Sequence, residues 1–110
     1  MNYNLVEYMQ GYLSHLKETE MWLHAAHHVA KGSGFVSDHK ELYGEMYVKL
    51  GDHFDILVEK SIALSGSEDI ACPASLSLGA SHILNSDYCS PVNMKSEEIV
   101  EKAIYCISIL

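Results

Sequence analysis

The chain opens with a long stretch that lacks proline and repeats apolar residues at helical spacing. No proline precedes Pro73, and the apolar residues of positions 2–31 recur mostly in steps of three, four or seven. Lys31 and Gly32 supply the basic residue and the glycine that typically end a helix. The pattern predicts one helix over residues 2–31, about 40 Å long. Its stripe consists of Leu5, Met9, Tyr12, Leu16, Leu23, Ala26 and Ala30.

A second stripe of the same kind follows a short connection at residues 32–37. Ser37 or Asp38 can cap a helix there, and Glu41 stands close to the capping-box position. The pattern predicts a helix over residues 38–65, and two helices joined by so short a connection form an antiparallel hairpin. The second stripe consists of Leu42, Met46, Leu50, Phe54, Leu57 and Leu64.

The remaining sequence is less regular. Residues 66–94 are expected to be largely irregular, with a short helix that Pro73 opens and that reaches Leu84. Ser96 is expected to cap a further amphipathic helix that continues to the end of the chain. No segment alternates apolar and polar residues as a strand does. The fold class is therefore all-α, in a single domain of residues 1–110.

The charge balance disfavours two classes of partner. All seven basic residues are lysines, against fifteen acidic residues, which gives a net charge of −8. Nucleic acids and anionic membranes bind clusters of lysine and arginine, and the lysines here are scattered along the chain. The charge pattern therefore argues against DNA and membrane surfaces as partners, whereas metal cations suit an acidic chain.

The cysteines favour a reducing compartment. Cys72, Cys89 and Cys106 are odd in number and form no CxxC pair, so reduced thiols are expected rather than a disulfide framework. The first residues do not resemble a signal peptide, and no apolar run is long enough for a membrane span. A cytoplasmic location is expected.

Histidine is the residue type that most suggests a function. Six of the seven histidines lie between His15 and His53. On the first helix His24 stands four residues before His28 and three before His27, so either pair shares a helix face. Imidazoles combined with carboxylates suit iron, manganese or zinc. Two groups that mix histidine and acidic residues are therefore candidate metal ligands. They are Glu20, His24, His27 and His28 on the first helix, and Asp52, His53, Asp55 and Glu59 on the second.

An alternative explanation needs no metal. Pairs of such residues three or four apart are common by chance, so Asp55 and Glu59 alone mean little. His24 can equally be a hydrogen-bonded core histidine, and His15 and His53 are expected at the surface.

The order of residues from His27 to Gly66 resembles the Dps-like miniferritins, ferritin-like proteins that protect DNA during starvation. Their signature places a glycine, a phenylalanine and a second histidine at fixed distances after a first histidine. His27, Gly32, Phe35 and His39 stand at those positions without a gap. The signature continues on the second helix with an aspartate and a glutamate, which match Asp55 and Glu59.

The resemblance implies a di-iron site shared by two subunits. In that family the two histidines come from one subunit and the two carboxylates from its two-fold-related neighbour, and the site oxidises Fe(II), typically with hydrogen peroxide. Carried over, His27 and His39 would face Asp55 and Glu59 of a second copy. Glu59 would bridge the irons, and Asp52 would be a further carboxylate near the second iron.

Two departures from the family pattern bear on this expectation. The spacing from His39 to Asp55 is one residue longer than usual, so a count back from Asp55 without a gap puts His28 in the ligand position. A bulge near Gly44 would absorb the extra residue and keep His27 as the ligand. Family members also have four long helices, whereas this sequence predicts a long antiparallel hairpin plus a shorter third helix. The fourth helix is expected to be lacking, and a homodimer or larger homo-oligomer would complete the ferritin-like bundle.

The sequence thus favours an iron-binding ferritin-like protein with ferroxidase activity, and with it iron storage or detoxification. The alternative is a non-enzymatic ferritin-like structural or assembly protein, for example a viral one, with a vestigial site. A zinc-binding site on the same helices is the third interpretation, because zinc would bring no redox chemistry.

Overall fold

The chain forms four α-helices and one 3-10 turn in the residues that its structure, a computed structural model, describes. These residues are 3–31, 42–86 and 90–108. They contain no strand, which confirms the all-α class for this part of the chain. The elements are α1 (Tyr3–Val29), α2 (Glu45–Ser65), a 3-10 turn (Glu68–Ala71), α3 (Pro73–Ser86) and α4 (Ser96–Ser108).

The first helix is the centre of the fold. α1 packs against α2, α3, the 3-10 turn and α4. Its buried residues therefore lie on several sides of the helix rather than along one stripe, and Trp22 is among them. They are Leu13, Ser14, Leu16, Glu18, Thr19, Trp22, Leu23 and Ala26.

α1 and α2 form the predicted antiparallel hairpin. The ring of Tyr47, near the start of α2, lies 4.1 Å from the ring of His24 near the end of α1. Two turns further along α2, Phe54 receives the ammonium of Lys17 at 4.4 Å from its ring centroid. Contacts that run forward on α2 and backward on α1 define antiparallel packing. α2 ends at Gly66, whose φ of 73° is the left-handed conformation of a helix C-cap.

α3 approaches α1 closely at Gly79. A Cβ atom on Gly79 would lie 2.8 Å from Ser14 Cβ, and closer still to Ser14 Oγ. Only glycine therefore allows the two helices this separation. Pro73 opens α3, as predicted, because the first helical position needs no N–H donor.

The segment 66–94 is more regular than the sequence predicted. The 3-10 turn begins at Ser67, whose Oγ accepts a hydrogen bond from the backbone N–H of Asp69. Gln10 of α1 donates to the Asp69 carbonyl at 3.0 Å, which ties the turn to the hairpin. α3 then runs to Ser86, past the expected end at Leu84. Burial of Leu76 and Ala80 explains why a segment with a weak sequence pattern is helical.

The last helix completes the core. α4 buries Ile99, Ala103 and Cys106, which are spaced as one face of a helix. The expectation that another copy completes the bundle stays a prediction. None of the helices in the described residues combines the length and the apolarity that a bilayer crossing requires.

Candidate metal centre

Three histidines and a tyrosine form a cluster where the end of α1 meets the start of α2. The ring centroids of His24 and His28 are 4.5 Å apart, those of His27 and His28 5.5 Å, and those of His24 and His27 6.2 Å. The Tyr47 ring stacks on His24 with an interplanar angle of 14° and meets His27 edge-on at 5.3 Å. We call these four side chains the histidine cluster.

The cluster is open to solvent. His24 and His28 are exposed, and His27 is partly buried. The alternative that His24 is a core histidine is therefore wrong, because the residue is exposed although Tyr47 stacks on its ring. Exposed imidazole nitrogens are ligands for zinc, copper, nickel and iron.

The predicted carboxylate ligands lie elsewhere on the hairpin. Asp52, Asp55 and Glu59 are all exposed on α2, which agrees with the shared helix face that their spacing predicts. Asp55 and Glu59 line an open groove of about 330 Å³ beside the 3-10 turn and the start of α3. The other residues of this groove are apolar: Phe54, Val58, Ala71 and Leu76.

A second groove adjoins the first and leads towards the histidine cluster. It has a volume of about 390 Å³, and His24 lies at its α1 side. Lys17 pairs with Glu20 at 3.1 Å within it, so its charged groups are balanced. A partly exposed pair of this kind contributes no more than about 1 kcal/mol. Both grooves are lined by Phe54, Ala71 and Leu76.

His27 and the carboxylate of Glu59 in one chain are too far apart to bind the same pair of metal ions. Tyr47 touches His27, and the helical rise from residue 47 to residue 59 is about 18 Å. Two metal ions in one site are about 4 Å apart, and ligand atoms lie about 2 Å from each ion. The ligands of such a site therefore span about 8 Å. His27 and Glu59 of one chain are separated by more than this.

The described residues accordingly contain no group of three or more histidine, cysteine, aspartate or glutamate side chains placed to hold a metal ion. Of the predicted ligands, His27, His28, Asp52, Asp55 and Glu59 belong to this part of the chain, on two separate surfaces. The remaining one, His39, lies outside the described residues.

The backbone directly before α2 departs from a regular α-helix. Residues 42–44 form a π-helical turn that leads directly into α2. A π turn accommodates one extra residue relative to an α-helix. An irregularity near Gly44 is therefore present in the backbone, as the sequence predicted; the choice between His27 and His28 as the ligand stays a prediction.

Two further polar groups lie near these surfaces without joining them. His15 Nδ1 is 2.7 Å from Glu18 Oε1, and Thr19 donates to the same oxygen at 2.9 Å, so this buried carboxylate has a structural role in α1.

A hydrogen bond from the Ser75 side chain lowers the pKa of Cys72, which precedes α3. At a given pH a larger fraction of Cys72 is therefore in the thiolate form than for an ordinary cysteine.

Tyr47 is the site residue that sequence reasoning missed. It lies outside the predicted stripe of the second helix, yet it stands three residues before Leu50 and seven before Phe54. That spacing, combined with an antiparallel hairpin, could have placed it opposite the histidines.

No protein-family model matches this chain, and comparisons with curated proteins and with solved structures return no match. Any functional assignment therefore depends on the residues of the chain itself.

Proposed function

We propose that the chain is a ferritin-like iron-binding protein whose site forms between two copies and oxidises Fe(II). The observation that carries this proposal is the separation of the two ligand sets. His27 lies at one end of the hairpin, and Asp55 and Glu59 are exposed on another surface about 12–18 Å away along the helix axis. A second copy is needed to bring carboxylates to the histidines.

The exposure of both ligand sets supports this arrangement. Exposed carboxylates are common on protein surfaces, but Asp55 and Glu59 also line an open groove with an apolar floor. That combination suits contact with another protein surface. A two-fold axis would then produce two identical sites, since each copy supplies both halves.

The chemistry follows from the ligand types. Imidazole and carboxylate together bind Fe(II) as substrate, and carboxylates stabilise the Fe(III) product through their charge. Two Fe(II) ions give one electron each to hydrogen peroxide, which takes up two protons and leaves as two water molecules. Glu59 would bridge the two irons, Asp55 and His27 would each bind one, and Asp52 would add charge beside the second. His39 completes the proposed ligand set.

The test is an anaerobic Fe(II) titration of tag-free protein, followed by addition of hydrogen peroxide. We expect saturable binding near two irons per site and fast oxidation. His27→Ala and Glu59→Gln should each abolish the fast oxidation, because each removes a ligand. The matched control is Glu97→Gln, because Glu97 is an exposed carboxylate on α4. This variant should oxidise iron as the parent does.

Iron binding and oxidation that are unchanged in both His27→Ala and Glu59→Gln would contradict the proposal. It would leave the alternative of a helical structural or assembly protein that keeps the scaffold without an active iron site. Binding of zinc in place of iron, with no oxidation, would instead favour the redox-inert interpretation.

A further inference from the structure

His24 and His28 lie side by side on the exposed end of α1, and the carboxylate-dependent iron chemistry uses neither. Their ring centroids are 4.5 Å apart with an interplanar angle of 36°. Both side chains are exposed. We propose that His24 and His28 form a second metal site, complete within one chain, that binds a borderline divalent cation such as Zn²⁺.

The geometry of the pair fits one ion. Metal–nitrogen distances of about 2.0–2.1 Å put each ring centroid about 3.2 Å from the ion, so two imidazoles at the tetrahedral angle have centroids about 5.2 Å apart. The observed separation of 4.5 Å is shorter than this by about 0.7 Å. Histidines four residues apart on one helix face are also the spacing by which helical zinc sites supply two of their ligands. Small side-chain rotations are therefore sufficient to direct both rings at one cation.

The surroundings hold the pair in place. Tyr47 of α2 covers one face of the His24 ring at 4.1 Å, which restricts the rotation of that imidazole before a cation binds. The ring of His27 lies 5.5 Å from that of His28, but His27 belongs to the proposed iron site and is not needed by this one. Water would fill the remaining positions, since the cluster faces solvent.

The chemical class follows from the donors. Two imidazoles without a carboxylate prefer zinc, nickel or copper, whereas Mg²⁺ requires oxygen ligands. The site needs neither the second copy nor Asp55 and Glu59. Its existence is therefore independent of the proposed iron site.

The experiment is a calorimetric titration of the tag-free protein with Zn²⁺, and with Mg²⁺ in parallel. We expect one Zn²⁺ per chain and no comparable uptake of Mg²⁺. His24→Gln and His28→Gln should each weaken Zn²⁺ binding by at least about tenfold, because even the loss of a residue that only orients a ligand costs 10–100-fold. His53→Gln and His82→Gln are matched controls, since both histidines are exposed and neither has another histidine three or four residues away.

A variant with Asp55→Asn and Glu59→Gln separates the two proposals. If it retains one Zn²⁺ per chain while Fe(II) oxidation is lost, the histidine pair is a separate site. If it loses Zn²⁺ as well, the only metal site is the shared one and the inference is overturned. Unchanged Zn²⁺ affinity in His24→Gln or His28→Gln overturns it equally, whatever the outcome of the iron titration.

Discussion

Gly79 is the position where the packing of α3 on α1 is most directly testable. Replacement by alanine in the interior of a helix should by itself add about 1 kcal/mol to the free energy of unfolding. At Gly79 the new Cβ would lie 2.8 Å from Ser14 Cβ, a contact with no flexible side-chain end to yield. Overpacking of this kind costs about 1–3 kcal/mol. We therefore expect Gly79→Ala to be neutral or destabilising by up to about 2 kcal/mol.

The chain provides two controls for the same substitution. A Cβ at Gly11 of α1 would meet nothing within 4 Å, so Gly11→Ala should gain the full propensity term of about 1 kcal/mol. At Gly51 the nearest atom is Glu20 Oε1 at 3.4 Å, and this flexible carboxylate can move aside. The free energies of unfolding of Gly79→Ala and Gly11→Ala should thus differ by about 1–3 kcal/mol.

The assay is urea unfolding followed by circular dichroism and by the fluorescence of the buried Trp22, at one fixed protein concentration. Ser14→Gly removes both atoms that the new methyl group meets. It should therefore reduce the cost of Gly79→Ala in a double-mutant cycle. The packing of α3 on α1 as described would be refuted if Gly79→Ala stabilised the protein as much as Gly11→Ala.

Three smaller changes test other parts of the fold. His15→Ala should lower the free energy of unfolding by about 1–3 kcal/mol, because it removes a partner from a buried carboxylate, whereas His82→Ala on the exposed face of α3 should change it by less than about 0.5 kcal/mol. Gly66→Ala should cost about 1 kcal/mol, since φ is 73° there. Ser75→Ala should raise the pKa of Cys72 and shift the pH profile of its alkylation by iodoacetamide to higher pH, because the lost hydrogen bond stabilises the thiolate. The first expectation would be contradicted by equal effects of the two histidine substitutions, and the second by an unchanged stability of Gly66→Ala in urea. An unshifted alkylation profile, measured by peptide mass spectrometry, would contradict the third.

The long helices could be predicted from the sequence because their apolar residues repeat over many turns. Leu16, Leu23 and Ala26 of the predicted stripe are buried for the same reason. α3 was less predictable, since its burial depends on contact with α1 rather than on its own pattern. Gly79 illustrates this: its role comes from Ser14, which is distant in sequence, and no local propensity reveals such a contact.

The candidate site was predictable in composition but not in geometry. Residue spacing correctly placed His24, His27 and His28 on one helix, and Asp55 and Glu59 on one exposed face. It did not place Tyr47 against the imidazoles, because that contact depends on the register of the hairpin. The resemblance led us to expect an irregularity near Gly44, and residues 42–44 do form a π-helical turn.

A subunit-mixing experiment tests the shared iron site most directly. One parent carries His27→Ala and His39→Ala, the other Asp55→Asn and Glu59→Gln, and the two are unfolded in urea and refolded together. Each parent alone should fail to oxidise Fe(II) rapidly. Random pairing gives heterodimers in which one of two sites is intact, so the mixture should regain about a quarter of the original activity. No recovery in mixtures that refold to full helicity and contain heterodimers would contradict a site shared between copies.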